Sequence, residues 1–177
     1  MFIAATMSFI MTVSIAIGAE LDSWRAINDG VMGGVSRGGM TRAGDDLVFR
    51  GELSLENNGG FASVRRLVRD DLTSAAVVRL KVRGDGRDYQ FRIRLDDRFD
   101  GVVWRAVFVT IGEWQTVDLP LDAFEPVFRG YRVPDAGPVI ADKISQIGFL
   151  IADKQPGPFS LEIRSIQFLE VESQSRL

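Results

Sequence analysis

The sequence contains no cysteine and no histidine, and only three lysines, at 81, 143 and 154. Without cysteine there is no disulfide, no thiol nucleophile and no thiolate-bound metal. Without histidine there is no Ser-His-Asp or Cys-His pair, no imidazole-bound zinc, and none of the commonest general base near neutral pH. A net charge of -3 at pH 7 lacks the basic footprint that nucleic acid demands, so no nucleic-acid partner is expected. What is present is ordinary for a globular chain: 46% hydrophobic and 25% charged residues over 177 positions, enough to bury the core of one domain.

Met1 to Ala19 carries no charged side chain and ends in Ile17-Gly18-Ala19 before Glu20. This is the pattern of a secretory signal, with residues 20–177 as the mature domain and an exported, periplasmic or extracytoplasmic location. Two features run against it: no Lys or Arg precedes the apolar run, and Ile17 stands where a small residue is usual. An uncleaved membrane anchor of spanning length and a start at Met7 or Met11 stay open beside it. Membrane association is expected only if the segment is retained.

Beyond residue 20 the dominant period is two. Val78, Leu80 and Val82 alternate with Arg79, Lys81 and Arg83, and Tyr89, Phe91, Ile93 and Leu95 with Gln90, Arg92, Arg94 and Asp96. Such alternation predicts antiparallel strands with one face in the core and one in water. Gly84-Asp85-Gly86-Arg87 between them reads as the loop of a hairpin. Further strands are predicted at 47–55, 61–67, 103–109, 114–119, 144–151 and 159–169. In the last, the inward phase slips between Ile163 and Ile166, which predicts a bulge at Arg164-Ser165. No window supports an amphipathic helix, and a short turn is expected at Leu121–Phe124. The stretch from Arg129 to Asp142, with Gly130, Pro134, Gly137 and Pro138, reads as a long loop. Many strands separated by Gly, Pro and Asp turns specify a single-domain, all-β antiparallel sandwich or barrel.

Two glycine-rich corners flank the strand at 47–55: Asn28 to Gly39, and Asn57 to Arg65. Neither has the spacing of a phosphate loop or a dinucleotide fingerprint. Glycine beside Asn or Asp marks tight turns, while Met32 among glycines suits either a contact surface or a plug packed across the end of the sandwich. The candidate partner- or ligand-binding residues are therefore Asn28, Asp29, Met32, Gly33, Gly34, Ser36, Asn58, Gly59, Gly60 and Arg65. If the hairpin forms, Arg79, Lys81, Arg83, Arg92 and Arg94 share one sheet surface; charges paired with neighbouring carboxylates are the expectation there. Asp45-Asp46, Asp70-Asp71 and Asp96-Asp97 read as turn residues rather than a metal or glycosidase site. Trp24, Trp104 and Trp114 are expected to fill the core rather than form a sugar-stacking platform. No catalytic residue, cofactor or metal is predicted.

Trp24, the block Asn28 to Ser36, Phe49-Arg50-Gly51-Glu52-Leu53-Ser54-Leu55, Asn58 to Arg65, Arg83 to Tyr89, Trp114 with Leu119-Pro120, Phe124, Arg129-Gly130, Ile147-Gly148-Phe149 and Gly157-Pro158-Phe159 together resemble the complex I intermediate-associated protein family. The resemblance runs in consistent order over nearly all of the mature chain. It implies a jelly-roll sandwich of the galactose-binding type. For mitochondrial members it implies a non-catalytic, chaperone-like role in assembling respiratory NADH:ubiquinone oxidoreductase, with a membrane complex or its intermediates as protein partner. The alternative is an exported module that binds carbohydrate or another small ligand.

Overall fold

The computed structural model describes residues 12–15 and 21–170. Its strands, in chain order, are β1 (Thr12–Ile15), β2 (Arg25–Ala26), β3 (Arg37–Ala43), β4 (Asp46–Leu53), β5 (Ala62–Leu67), β6 (Ala75–Arg83), β7 (Asp88–Arg94), β8 (Val103–Val109), β9 (Gln115–Pro120), β10 (Glu125–Phe128), β11 (Tyr131–Arg132), β12 (Gln146–Ile151) and β13 (Gly157–Glu170). Among the described residues the only helical segments are short 3-10 turns, one at Leu121–Ala123 as expected, and none is long and apolar enough to cross a membrane.

The strands form two antiparallel sheets. The first has the order β3-β4-β13-β6-β9, with β1 also paired to β13; the second runs β11-β10-β8-β7-β12-β5-β2. Inward residues of both sheets meet in one core. Phe49, Leu80, Leu161 and Ile163 come from the first, and Tyr89, Phe91, Ile93 and Phe149 from the second, all fully buried. Phe91 and Phe149 pack edge to face at 5.2 Å, the geometry aromatic pairs prefer. This is the expected β-sandwich. The slip in β13 is also present, with the register against β6 shifting between Ile163 and Ser165 so that Ile163 and Ile166 both stay inside.

Three expectations are corrected. The first is the hairpin: β6 pairs with β13 and β9, whereas β7 pairs with β8 and β12 in the other sheet. Gly84–Arg87 is an arch across the end of the sandwich. It is pinned by Thr110, whose hydroxyl accepts from Gly86 N at 3.0 Å and donates to Arg87 O at 2.9 Å. A Cβ on Gly84 would sit 2.3 Å from that hydroxyl, so the arch closes only with glycine there. Alternation identifies a strand and its faces, but not the sheet it joins.

The second concerns Gly38-Gly39, which lie not in a corner but inside β3. Gly38 stands opposite Gly51, and a Cβ on Gly51 would fall 1.9 Å from Arg37 O. The two glycines allow the backbones to touch. Third, Trp24 and Trp104 belong to the core, but Trp114 does not. It lies half-buried beneath Arg164, whose guanidinium sits 3.9 Å from the ring centroid, with Arg83 at 5.1 Å. The loop expected over 129–142 contains β11 and two 3-10 turns, Pro134–Ala136 and Ala141–Lys143.

Within the segment read as an export signal, Thr12–Ile15 pair with Ile166–Leu169 of β13. The rest of that segment, with its cleavage position, lies outside the described residues.

Candidate functional site

The glycine corners converge on one carboxylate. Asp29 is fully buried at the start of a 3-10 turn over Asp29–Met32. Its Oδ1 accepts from Ser36 N at 2.9 Å, and its Oδ2 from Gly60 N at 2.7 Å and Phe61 N at 3.4 Å. A Cβ on Gly34 or Gly59 would come within about 2.5 Å of that carboxyl group. Gly33 and Gly60, with φ of 89° and 132°, supply the positive-φ turns on either side. Burial works to raise the Asp29 pKa, but the bonds from Ser36, Gly60 and Phe61 outweigh it and leave the group below its ordinary value.

The other corner residues complete the clamp. Asn28 Nδ2 donates to Gly38 O at 3.1 Å, and its Oδ1 accepts from Ser63 N at 3.2 Å. The Ser36 hydroxyl donates to Ser54 O at 3.0 Å and accepts from Ser54 N at 2.9 Å. Asn58 turns the chain at φ 58°. The product of this framework is a turn that holds Val31 and Met32, 63% and 62% exposed, at the rim of a groove.

That groove, about 550 Å³ in volume, lies on the outer face of the second sheet, within the roughly 300–1,000 Å³ of typical ligand sites. Register places one row of residues across its floor. Arg65 on β5 stands opposite Gly148 on β12, Gly148 opposite Arg92 on β7, Arg92 opposite Arg105 on β8, and Arg105 opposite Glu125 on β10. Gln146 faces Arg94 on one side of that row, and Leu150 faces Gln90 on the other, with Gln90 opposite Val107. Phe99–Gly101 and Arg129–Gly130 form the far wall.

Most of these arginines are answered within the chain. Arg105 binds Glu125 Oε2 through Nε and Nη2 at 3.1 and 2.8 Å. Arg94 Nη1 donates to Gly101 O at 3.2 Å. Arg65 Nη1 donates to Phe99 O at 2.9 Å while its guanidinium covers the Phe99 ring at 4.7 Å. Asp100, on the wall, is held by Arg129 at 2.8 Å. Arg92 differs. Its Nε is shut off from solvent with no hydrogen-bond partner, and burial together with the charges of Arg94, Arg105 and Arg65 lowers its pKa to about 10. The floor therefore offers hydrogen-bond donors and positive charge, flanked by apolar side chains.

Of the residues singled out in the sequence, Met32 and Arg65 line this groove, and the remaining eight build the corner behind its rim. Arg79 and Arg83 lie on the other sheet, paired with Asp118 and Glu162 as expected of a solvated face. Arg92 and Arg94 do not share that face. Arg105, Gln90, Gln146 and Phe99 were not singled out in the sequence, and Gly148 only within the family resemblance, because only the register of β5, β12, β7 and β8 brings them together.

Solved structures of the same architecture define the class. The family 11 carbohydrate-binding module from Clostridium thermocellum, in complex with a beta-1,3-1,4-mixed-linked tetrasaccharide, superposes with a TM-score of 0.71 at 15% identity, covering 92% of this chain and 98% of that one. The family 11 module of the cellulosomal cellulase Lic26A-Cel5E from the same organism gives 0.72 at 15% identity, covering 96% and 100%. At such identity the likeness is one of fold, a jelly-roll β-sandwich.

The family is given by sequence. The pattern of Complex I intermediate-associated protein 30 matches residues 13–163, and the chain belongs to that family. The mitochondrial Complex I intermediate-associated protein 30 of Mus musculus is 33% identical over 168 residues, 81% of this chain and 51% of its own length. The Drosophila melanogaster protein of the same name is 33% identical over 110 residues, 57% and 36% respectively. The chain thus spans about half the length, or less, of these curated relatives.

Proposed function

We propose that this protein is a non-catalytic binding module that helps assemble a membrane respiratory complex of the NADH:ubiquinone oxidoreductase type. Its partner docks on the outer face of the second sheet. The observation that carries the reading is the cross-strand row Arg65, Arg92, Arg105, with exposed Val107 beside it and Val31 and Met32 at the groove rim, a mixed surface suited to protein contact. The carboxylates beside the groove, Asp100 and Glu125, are held by Arg129 and Arg105 and are not poised as acid or base. Family membership supports the assembly role. In this reading residues 1–19 are the export segment, and cleavage after Ala19 takes β1 out of its pairing with β13.

Carbohydrate is the second reading, favoured by the jelly-roll fold and by Ser63, Gln90 and Gln146 in the groove. It is the weaker of the two. The groove floor carries no tryptophan or tyrosine, and Phe99 on the wall has one ring face under Arg65, so a sugar has a single ring face to stack on.

One experiment tests these points together: recovery of the tagged protein at native abundance from gently solubilised membranes, with protein identification and N-terminal sequencing of the product. Subunits of the respiratory complex should be enriched and the mature chain should begin at or near Glu20. Recovery without respiratory subunits, together with retention on a glycan array, would replace the assembly reading by the carbohydrate one.

A further inference from the structure

We infer that the groove is a carboxylate site anchored by Arg92, and that it takes an Asp or Glu side chain of an extended protein segment flanked by apolar residues. The inference rests on the protein-binding reading above and specifies the chemistry of its partner.

Several sheet arginines of the chain are paired with carboxylates. On the first sheet Arg79, Arg83 and Arg164 each meet a carboxylate through Nε and Nη2, on Asp118, Glu162 and Asp46, at 2.7–3.1 Å. On the second sheet Arg105 has Glu125. Arg92 stands directly opposite Arg105, a like-charge pair that destabilises a sheet, and the charged groups acting on it are all arginines. Exposed arginines such as Arg50 are open to water, but the Nε of Arg92 has neither water access nor an acceptor. A buried donor of this kind is costly, and the guanidinium that carries it lines the groove, where a carboxylate would answer its charge.

The geometry leaves room for that acceptor. Gly148 is the only position between Arg65 and Arg92 in the row, and a Cβ there would meet Val64 O at 2.4 Å. The sheet thus requires glycine, and no side chain rises between the two guanidinium groups, which both line the groove. A planar carboxylate in the groove can bond to guanidinium edges in the two-point fashion that suits arginine. Around it lie exposed apolar side chains: Val31 and Met32 on the rim, and Val107, 56% exposed, on the neighbouring strand. A polyuronate could satisfy the charge but would leave this apolar surface without a partner. An acidic side chain set among leucine, valine or phenylalanine satisfies both.

The test uses the mature protein and an array of capped heptapeptides in which a central Glu or Gln is flanked by Leu, Val and Phe, with trigalacturonate and inorganic phosphate as further probes. Affinity is measured by calorimetry, and contact by the NMR signal of the Arg92 Nε–H. The Glu peptides should bind about tenfold or more tightly than their Gln counterparts, as a charge-assisted bond requires, and should shift the Arg92 signal. In Arg92→Gln and Arg92→Met the Glu preference should vanish while the melting temperature stays level or rises, since a like charge has been removed. Equal or absent binding of the two peptide sets overturns the inference. So does a fall in melting temperature in both variants, which would make Arg92 structural. Binding of trigalacturonate or phosphate alone overturns the peptide as occupant. Should Glu peptides bind through Arg92 while membranes yield no respiratory subunits, the carboxylate site stands and the assembly reading falls.

Discussion

Replacing Asp29 by alanine is expected to cost about 3–5 kcal/mol of stability, the range for breaking a buried charged network. Three backbone N–H groups, of Ser36, Gly60 and Phe61, lose their acceptor at once, and each buried donor left unsatisfied costs on the order of 1–3 kcal/mol. Asp29→Asn keeps the shape and one acceptor oxygen, so it should fall between wild type and alanine. Chemical denaturation measures the ordering; an alanine variant within about 0.5 kcal/mol of wild type would show that the corner closes without its carboxylate. The same bonds set the acid limit. The folded pKa of Asp29 is depressed, so its contribution is complete above the unfolded carboxylate value of about 3.9. It is lost as pH falls from there through the lower folded value. Asp153 is depressed too, burial being outweighed by its bond from Arg87, and should add to the same loss.

Arg87 carries the second large effect. Its Nη2 lies 2.6 Å from Asp153 Oδ1, with the two side chains only 10% and 5% exposed, and the guanidinium also donates to the carbonyls of Pro158 at 2.9 Å and Gln155. One side chain thus ties the arch between the sheets to the start of β13. Arg87→Ala leaves Asp153 buried without its cation and should cost about 3–5 kcal/mol. For a domain of this size that lowers the melting temperature by roughly 10 °C, at about 2–4 °C per kcal/mol. The double variant Arg87→Met with Asp153→Leu should recover most of the loss, because a buried pair and an apolar pair of similar volume differ little. If the double variant is no better than Arg87→Ala, the bonds to the β13 carbonyls, and not the ion pair, are what the arch needs.

The sequence disclosed the faces of the strands and little about their neighbours. Phe91 and Ile93 read as inward from period two alone, and both are fully buried. The bulge at Arg164-Ser165 was legible because Ile163 and Ile166 cannot otherwise both point inward. What alternation cannot encode is partnership across the sandwich. A four-residue glycine-containing link looks the same whether it folds β7 back on β6 or carries it over to the opposite sheet. The groove was hidden for the same reason. Arg65, Gly148, Arg92 and Arg105 lie far apart in the chain, and nothing local marks Arg92 as an arginine whose Nε is buried without an acceptor. The glycine corners announced themselves by composition, and Gly33 and Gly60 do hold positive φ. Their purpose was less visible: eight of the ten candidates build the clamp around Asp29, and only Met32 and Arg65 face the groove.

The central claim, that the outer face of the second sheet is the partner-binding surface, is tested most directly by site-specific photo-crosslinking in intact cells. A photoreactive amino acid at Met32, on the groove rim, is compared with one at Thr116, exposed on β9 of the opposite sheet. The account predicts discrete adducts with subunits of a membrane respiratory complex from position 32, absent when Arg92 is also changed to Gln, and none from position 116. Adducts of equal yield from both positions, or from position 116 alone, would contradict it.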